Sequence, residues 1–166
     1  TLCRAMLEQL DDHYATALIL NPVMRADELM KAIAIEFGLD VKGMDRLETI
    51  ATINNFLLWQ VEQGKDAVLI IDEAQDLTEE LLEQIRLLSN LETDNRKLLQ
   101  IVLMGQPELR DRLNSPRLRQ LRQRITVRYH LSPLSRAEVC QYIRHRLHVS
   151  GANGVPHFTQ PAIWRV

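Results

Sequence analysis

Five apolar residues in a row, Ala67-Val68-Leu69-Ile70-Ile71, end without transition in two acids, Asp72 and Glu73. A strand that is apolar at every position leaves no face for water, which restricts it to the interior of a sheet covered on both sides. Two further runs share that character: Tyr14 to Leu20, closed by Asn21-Pro22, and Leu98 to Met104, broken by Gly105-Gln106-Pro107. Segments with helical spacing lie between them. Leu29, Met30, Ile33 and Phe37 predict a helix capped by Asp27 and ended by Gly38. Leu47, Ile50, Ile53, Asn54, Leu57, Leu58 and Val61 predict a second, stopping near Gly64. Leu81, Leu82, Ile85 and Leu88 predict a third over Thr78 to Ser89. Strands alternating with helices of ordinary length imply right-handed crossovers and a mainly parallel α/β sheet with helices on both faces.

The two ends of the chain follow other patterns. Leu2, Met6, Leu7 and Leu10 give the opening residues a helical face. Ser115-Pro116 reads as an N-cap with proline at the first helical position, opening a helix through Leu118 and Leu121. Ile125 to Tyr129 alternates as a short strand. Ser135-Arg136-Ala137-Glu138 matches a capping box, followed by Val139, Tyr142, Ile143 and Leu147 on one helical side up to Gly151. Thr159-Gln160-Pro161 has the form of another helix start. The change of pattern at Ser132-Pro133-Leu134 divides an α/β core, residues 1–134, from a small helical piece, residues 135–166.

Composition narrows the function classes. At 166 residues, 46% hydrophobic and 25% charged, the chain has the length of one domain and is not a disordered polymer. Lys plus Arg number 20 against 22 Asp plus Glu, a net charge of -2, which argues against a dedicated nucleic-acid binder while leaving a local basic patch open. Two cysteines, Cys3 and Cys140, are too few for a disulfide scaffold or a cysteine-rich zinc site and read as small buried apolar groups. His130 and His145 have no partner at metal-ligand spacing, and Trp59 and Trp164 read as packing.

Chemistry is concentrated where the apolar runs end. Parallel strands present ligand sites at their carboxyl ends, so Asp72 and Glu73 fall on the functional edge of the sheet. Adjacent carboxylates there suit a magnesium nucleotide site. Asp72 would hold hydrated Mg2+ directly or through water, and Glu73 would orient and polarise an attacking water. Two acids that solvate a helix N-terminus are the other reading, and on these residues alone both stay open. Gln106 ends the next run and places an amide at the same edge, able to hydrogen-bond a γ-phosphate and the lytic water. By itself it is a turn residue before Pro107; together with the acids it favours function. Arg117, Arg119, Arg122, Arg124 and Arg128 follow. Most read as a solvated basic face, but a guanidinium fork supplied from a neighbouring subunit can stabilise transition-state charge. Arg124, where helix passes to strand, is the first candidate and Arg122 the second.

The segments LIIDEAQDL (Leu69 to Leu77), LLQIVLMGQPEL (Leu98 to Leu109), LRQRITVRYHLSPLS (Leu121 to Ser135) and the opening TLCRAMLEQL together span nearly the whole chain. In that order they resemble the AAA+ ATPases of the ExeA/GspA group, which assist type II secretion, and the related MshM proteins of MSHA pilus biogenesis. The resemblance implies a P-loop NTPase fold with ATP and Mg2+ as cofactors. It puts Walker B at Asp72 and Glu73, sensor 1 at or beside Gln106, an arginine finger at Arg124, and the start of a helical lid near Ser135. It further implies a cytoplasmic domain of a bacterial inner-membrane protein that forms a homo-oligomer. A GspB-like inner-membrane partner and, indirectly, the secretin would be its associates; nucleic acid is not among them. In this group the opening segment follows a GxxGxGKT-type phosphate loop and the strand that feeds it. Thr1 then falls just after the Lys-Thr pair, and neither loop nor strand is present in the sequence. The chain alone is therefore expected neither to bind ATP tightly nor to hydrolyse it, and its sheet is expected to carry unpaired edges.

Three other readings use the same residues. The DEAD/DEAH helicases have a similar strand end, but follow the next strand with Ser-Ala-Thr where this chain has Met104-Gly105-Gln106, and no aromatic-basic stacking face is present. A transposition-type AAA+ regulator would contact DNA phosphates through the Arg117 to Arg128 cluster, with steep salt dependence. A non-catalytic interaction module would keep the nucleotide fold without the activity.

Overall fold

A computed structural model describes residues 2–93, 96–152, 158, 159 and 162. Three apolar runs form one parallel sheet: β1 (Tyr14–Ile19), β2 (Asp66–Ile71) and β5 (Leu99–Leu103), in the order β1-β2-β5. Pairing runs without a slip, Ile19 opposite Ile71 and Ile71 opposite Leu103, so the three strands end level. Between β2 and β5 the chain also forms a small antiparallel pair that the sequence pattern does not announce, β3 (Glu92–Thr93) with β4 (Arg96–Lys97).

β2 is buried on both faces, and its alternating side chains feed two cores. Leu69 and Ile71 join Leu29, Ile33, Ile53, Leu57, Leu82 and Ile85, from α2 (Ala26–Glu36), α3 (Arg46–Glu62) and α4 (Glu79–Leu88). Val68 and Ile70 point the other way, towards Cys3 of α1 (Leu2–Leu7) and the partly buried Met6, Leu7 and Leu10. Leu109 of α5 (Pro107–Leu113), Leu118 of a 3-10 turn (Pro116–Leu118) and Leu121 of α6 (Arg119–Arg124) complete the larger core.

Caps fix where the helices begin. Asp45 accepts from the Glu48 N–H at 2.9 Å while Glu48 accepts from the Asp45 N–H at 2.8 Å, which closes a capping box on α3. Thr78 accepts from the Leu81 N–H at the start of α4. The expectation that Asp27 caps α2 is corrected: the N-cap is Arg25, whose N–H donates to Glu28 at 2.8 Å. Three residues after Arg25 stands a glutamate; three after Asp27 stands Met30, which cannot close a box. Asp27 instead lies in the first turn, where its charge complements the helix dipole. Gly38 ends α2 as expected, with φ 79° just past Phe37 and the Leu39 N–H reaching back to Ala34.

The chain divides into two compact units, Thr1–Thr126 and Val127–Val166. In the second, Ser135 and Glu138 form the expected capping box on α7 (Arg136–Val149), which ends at Ser150 before Gly151. No residue of α7 is buried, and Cys140 on it is half-buried where a buried group was expected. The strand expected over Ile125 to Tyr129 is also corrected. No strand of either described sheet includes it, and Val127 and Tyr129 are 81% and 87% exposed. Alternation supplies a strand's side chains, but a strand forms only against a hydrogen-bonded neighbour. The expected helix start at Thr159-Gln160-Pro161 and the packing of Trp164 lie outside the described residues. Among those residues no helix is long and apolar enough to cross a membrane.

Candidate functional site

Because β1, β2 and β5 end level, the residues that follow Ile71 and Leu103 share one edge. The Asp72 N–H donates to Ile19 at 2.8 Å and the Met104 N–H to Ile71 at 2.9 Å, extending the ladder one step beyond the strands. There the chain breaks sharply. Glu73 stands at φ 50°, ψ 36°, the single described non-glycine residue with positive φ. That conformation costs an L-residue about 1–2 kcal/mol. Its N–H donates to Asp72 Oδ1 at 3.0 Å, and the following Ala74 N–H crosses to the Met104 carbonyl at 2.8 Å. The turn leaves Asp72 half-buried and Glu73 exposed.

Gln75 joins the two strand ends. Its Nε2 donates to Glu73 Oε2 at 2.7 Å, and its Oε1 accepts from the Gln106 N–H at 3.0 Å. Arg112 of α5 donates from its guanidinium to the Gln75 carbonyl. Gly105 permits this approach. A Cβ at that position would stand 2.7 Å from Gln75 Oε1, 3.1 Å from the Gln75 nitrogen and 3.3 Å from the Ala74 nitrogen.

From the α1 face, the buried Cys3 thiol lies 3.3 Å from the Met104 sulfur. Burial, then a hydrogen bond to Asp72, then the negative charge of that carboxylate push the thiol up to about 11. Cys3 is therefore a neutral group beside Asp72 and not a nucleophile at pH 7.

The structure thus brings together Asp72, Glu73 and Gln106. Gln106 enters the cluster through its backbone N–H; it is the N-cap of α5, and its exposed side chain makes no capping bond. Arg124, the last residue of α6, is elsewhere. Its guanidinium donates to the Ser89 carbonyl at 3.3 Å, past the C-terminal end of α4. α4 begins at Glu79, after the 3-10 turn Ala74–Asp76 that follows Glu73, and its ten residues span about 15 Å, so Arg124 is held past the far end of that helix. Arg122 belongs to the same α6, and Thr1 lies outside the described residues. Gln75, Gly105, Arg112 and Cys3 were not singled out as site residues from the sequence. Only Gly105 carries a plain signal, a glycine at a strand end directly before a polar residue.

Among the described residues there is no group of three or more His, Cys, Asp or Glu able to cage a metal. Mg2+ does not need one, since it keeps several waters and takes one or two carboxylates together with substrate phosphates. The half-buried carboxylate of Asp72 fits that use.

A parallel α/β sheet whose middle strand ends in adjacent carboxylates, level with the neighbouring strand end that leads to Gln106, has the architecture of a P-loop NTPase. A model of the AAA domain family matches residues 1–113, more than half of the chain, and the chain belongs to that family. General secretion pathway protein A of Aeromonas hydrophila is 48% identical over 164 residues, which cover 98% of this chain and 30% of that protein. The chain thus spans less than a third of the relative's length. A solved structure of a RuvB mutant from Thermotoga maritima aligns with 90% of this chain and 48% of its own, at 16% identity and a TM-score of 0.37.

Proposed function

We propose that this domain binds ATP with Mg2+ and hydrolyses it within a larger protein similar to general secretion pathway protein A, energising or regulating assembly of a type II secretion or MSHA pilus machine. The observation that carries this reading is the level edge where Asp72, Glu73 and Gln106 meet. When bound, Mg2+ would neutralise charge developing on the phosphates. Asp72 is the residue that would hold it, from a half-buried position where the Glu73 N–H already holds one of its oxygens. Glu73 keeps Oε2 on Gln75 and has Oε1 with which to orient and polarise a water. The side chain of Gln106 stands at the neighbouring strand end, suited to hydrogen-bond the γ-phosphate.

Arg124 is held at the Ser89 carbonyl, past the end of α4, and not among the groups that meet beside Glu73, which supports its use as a finger on the next subunit of a homo-oligomer; Arg122 is the second candidate. In this proposal residues 1–134 form the ATPase core and residues 135–166 open a helical lid. The assembly works on the cytoplasmic side with a GspB-like membrane partner and, through it, the secretin. The sequence holds no glycine-rich loop ending in Lys-Thr, so the 166 residues alone are proposed to be inactive. The test is ATP binding and hydrolysis by the full-length protein and its Glu73→Gln variant. Binding retained with hydrolysis lost is expected. Hydrolysis surviving in the variant removes Glu73 from its role, and absence of ATP binding in the wild type rejects the reading.

A further inference from the structure

Gln75 joins the side chain of Glu73 to the strand end that carries Gln106. An amide is not symmetric: its oxygen only accepts and its nitrogen only donates. The Gln106 backbone N–H is a fixed donor, so at 3.0 Å it selects Oε1. Nε2 must then face Glu73, where it meets Oε2 at 2.7 Å, a donor against a carboxylate. The reversed amide would set N–H against N–H and oxygen against oxygen. Little freedom is left to the residue, because Arg112 holds its carbonyl and its Oε1 fills the space that a side chain at Gly105 would take.

We infer that Gln75 is a positioning residue, which fixes the carboxylate of Glu73 and ties it to the strand end that carries Gln106. This rests on the reading of Glu73 as the group that polarises water. Glu73 is exposed and its backbone is held in a strained conformation, so without an anchor its side chain would sample many rotamers. The Gln75 amide selects one of them. It also makes a shift of the Gln106 backbone felt at Glu73 through a single side chain. General-base geometry is sensitive on the scale of 1 Å, so an anchor of this kind acts on turnover and not on nucleotide affinity.

A plain loop staple would use the same contacts, and Gln75→Glu separates the two roles. The substitution keeps an acceptor for the Gln106 N–H but removes the donor to Glu73 and sets two carboxylates against each other. In the full-length protein, kcat is expected to fall about 10- to 100-fold while KM for ATP stays within about two-fold. Gln75→Met, uncharged and of similar size, should give the same division between kcat and KM should the charged variant fold poorly. A kcat within two-fold of wild type, or a loss carried mainly by KM, overturns the inference while leaving the ATPase reading intact. A readout independent of turnover is the side-chain amide signal of Gln75 in glutamine-labelled protein. It should shift and exchange faster with water in Glu73→Ala. An unchanged signal overturns the link even in a protein that hydrolyses nothing.

Discussion

Cys3 packs its sulfur 3.3 Å from that of Met104, 101 positions further along the chain, and this contact sets a thiol beside the carboxylate of Asp72. The opening helix is thereby fastened to the strand ends that carry the chemistry.

The thiol gives a pH signature with a definite sign. Burial and Asp72 raise its pKa from 9.0 to about 11, so between those values the folded protein holds a proton that the unfolded chain releases. Stability is therefore expected to be flat with respect to this group below pH 9 and to fall as pH rises towards 11. The full loss is about 2–3 kcal/mol at 1.36 kcal/mol per unit. Denaturant unfolding of wild type and Cys3→Ala across that range checks it; two curves that fall in parallel would contradict the assignment.

Gly105→Ala should disturb the site from the side. The added methyl would meet Gln75 Oε1 at 2.7 Å and backbone at 3.1 and 3.3 Å, so the amide must leave or the strand end must shift. A destabilisation of about 1–2 kcal/mol is expected, with turnover reduced as in the Gln75 variants. Thermal unfolding and steady-state rates report the two effects separately.

Glu73→Gly should separate stability from activity in the opposite direction. Glycine adopts φ 50° without strain, so a gain of about 0.5–1 kcal/mol is expected after allowing for its freer unfolded state, while hydrolysis is lost. A variant less stable than wild type would mean that the backbone of Glu73 is not strained.

Arg124→Ala is expected to move stability by less than about 0.5 kcal/mol, since its bond to Ser89 is exposed and 3.3 Å long. Hydrolysis should fall by about 10³-fold or more. Mixing this variant with Glu73→Gln subunits should restore part of the activity, because one supplies the carboxylate and the other the guanidinium. No restoration at any mixing ratio would argue that Arg124 does not act between subunits.

The sequence and the structure agree where a residue's neighbours are set by burial. Ala67 to Ile71 had to be an inner strand, and its end had to present Asp72 and Glu73 at the edge, because continuous apolar side chains allow little else. The capping boxes at Asp45 and Ser135 depend only on residues three apart, although only the one at Ser135 was read from the sequence. Ile125 to Tyr129 was not legible for a physical reason, since strand character needs a partner that local sequence does not name. β3 and β4 escaped notice because Glu92, Thr93, Arg96 and Lys97 are exposed and carry no apolar alternation. Gln75 was hidden differently. Its role depends on the parallel register that carries Gln106 to it from 31 positions away, and on a left-handed turn at a glutamate that composition does not suggest.

The level register of β2 and β5 also makes chain length a functional quantity. Counting from Leu99, the backbone has just enough residues to reach Gln106 opposite the turn at Glu73. One residue inserted between Leu99 and Gly105 would turn each following side chain to the other face of the sheet and carry the Gln106 N–H away from Gln75. The same insertion between Glu92 and Lys97, ahead of β5, would leave that count untouched. This domain should therefore accept added sequence on one side of Leu98 and refuse it on the other.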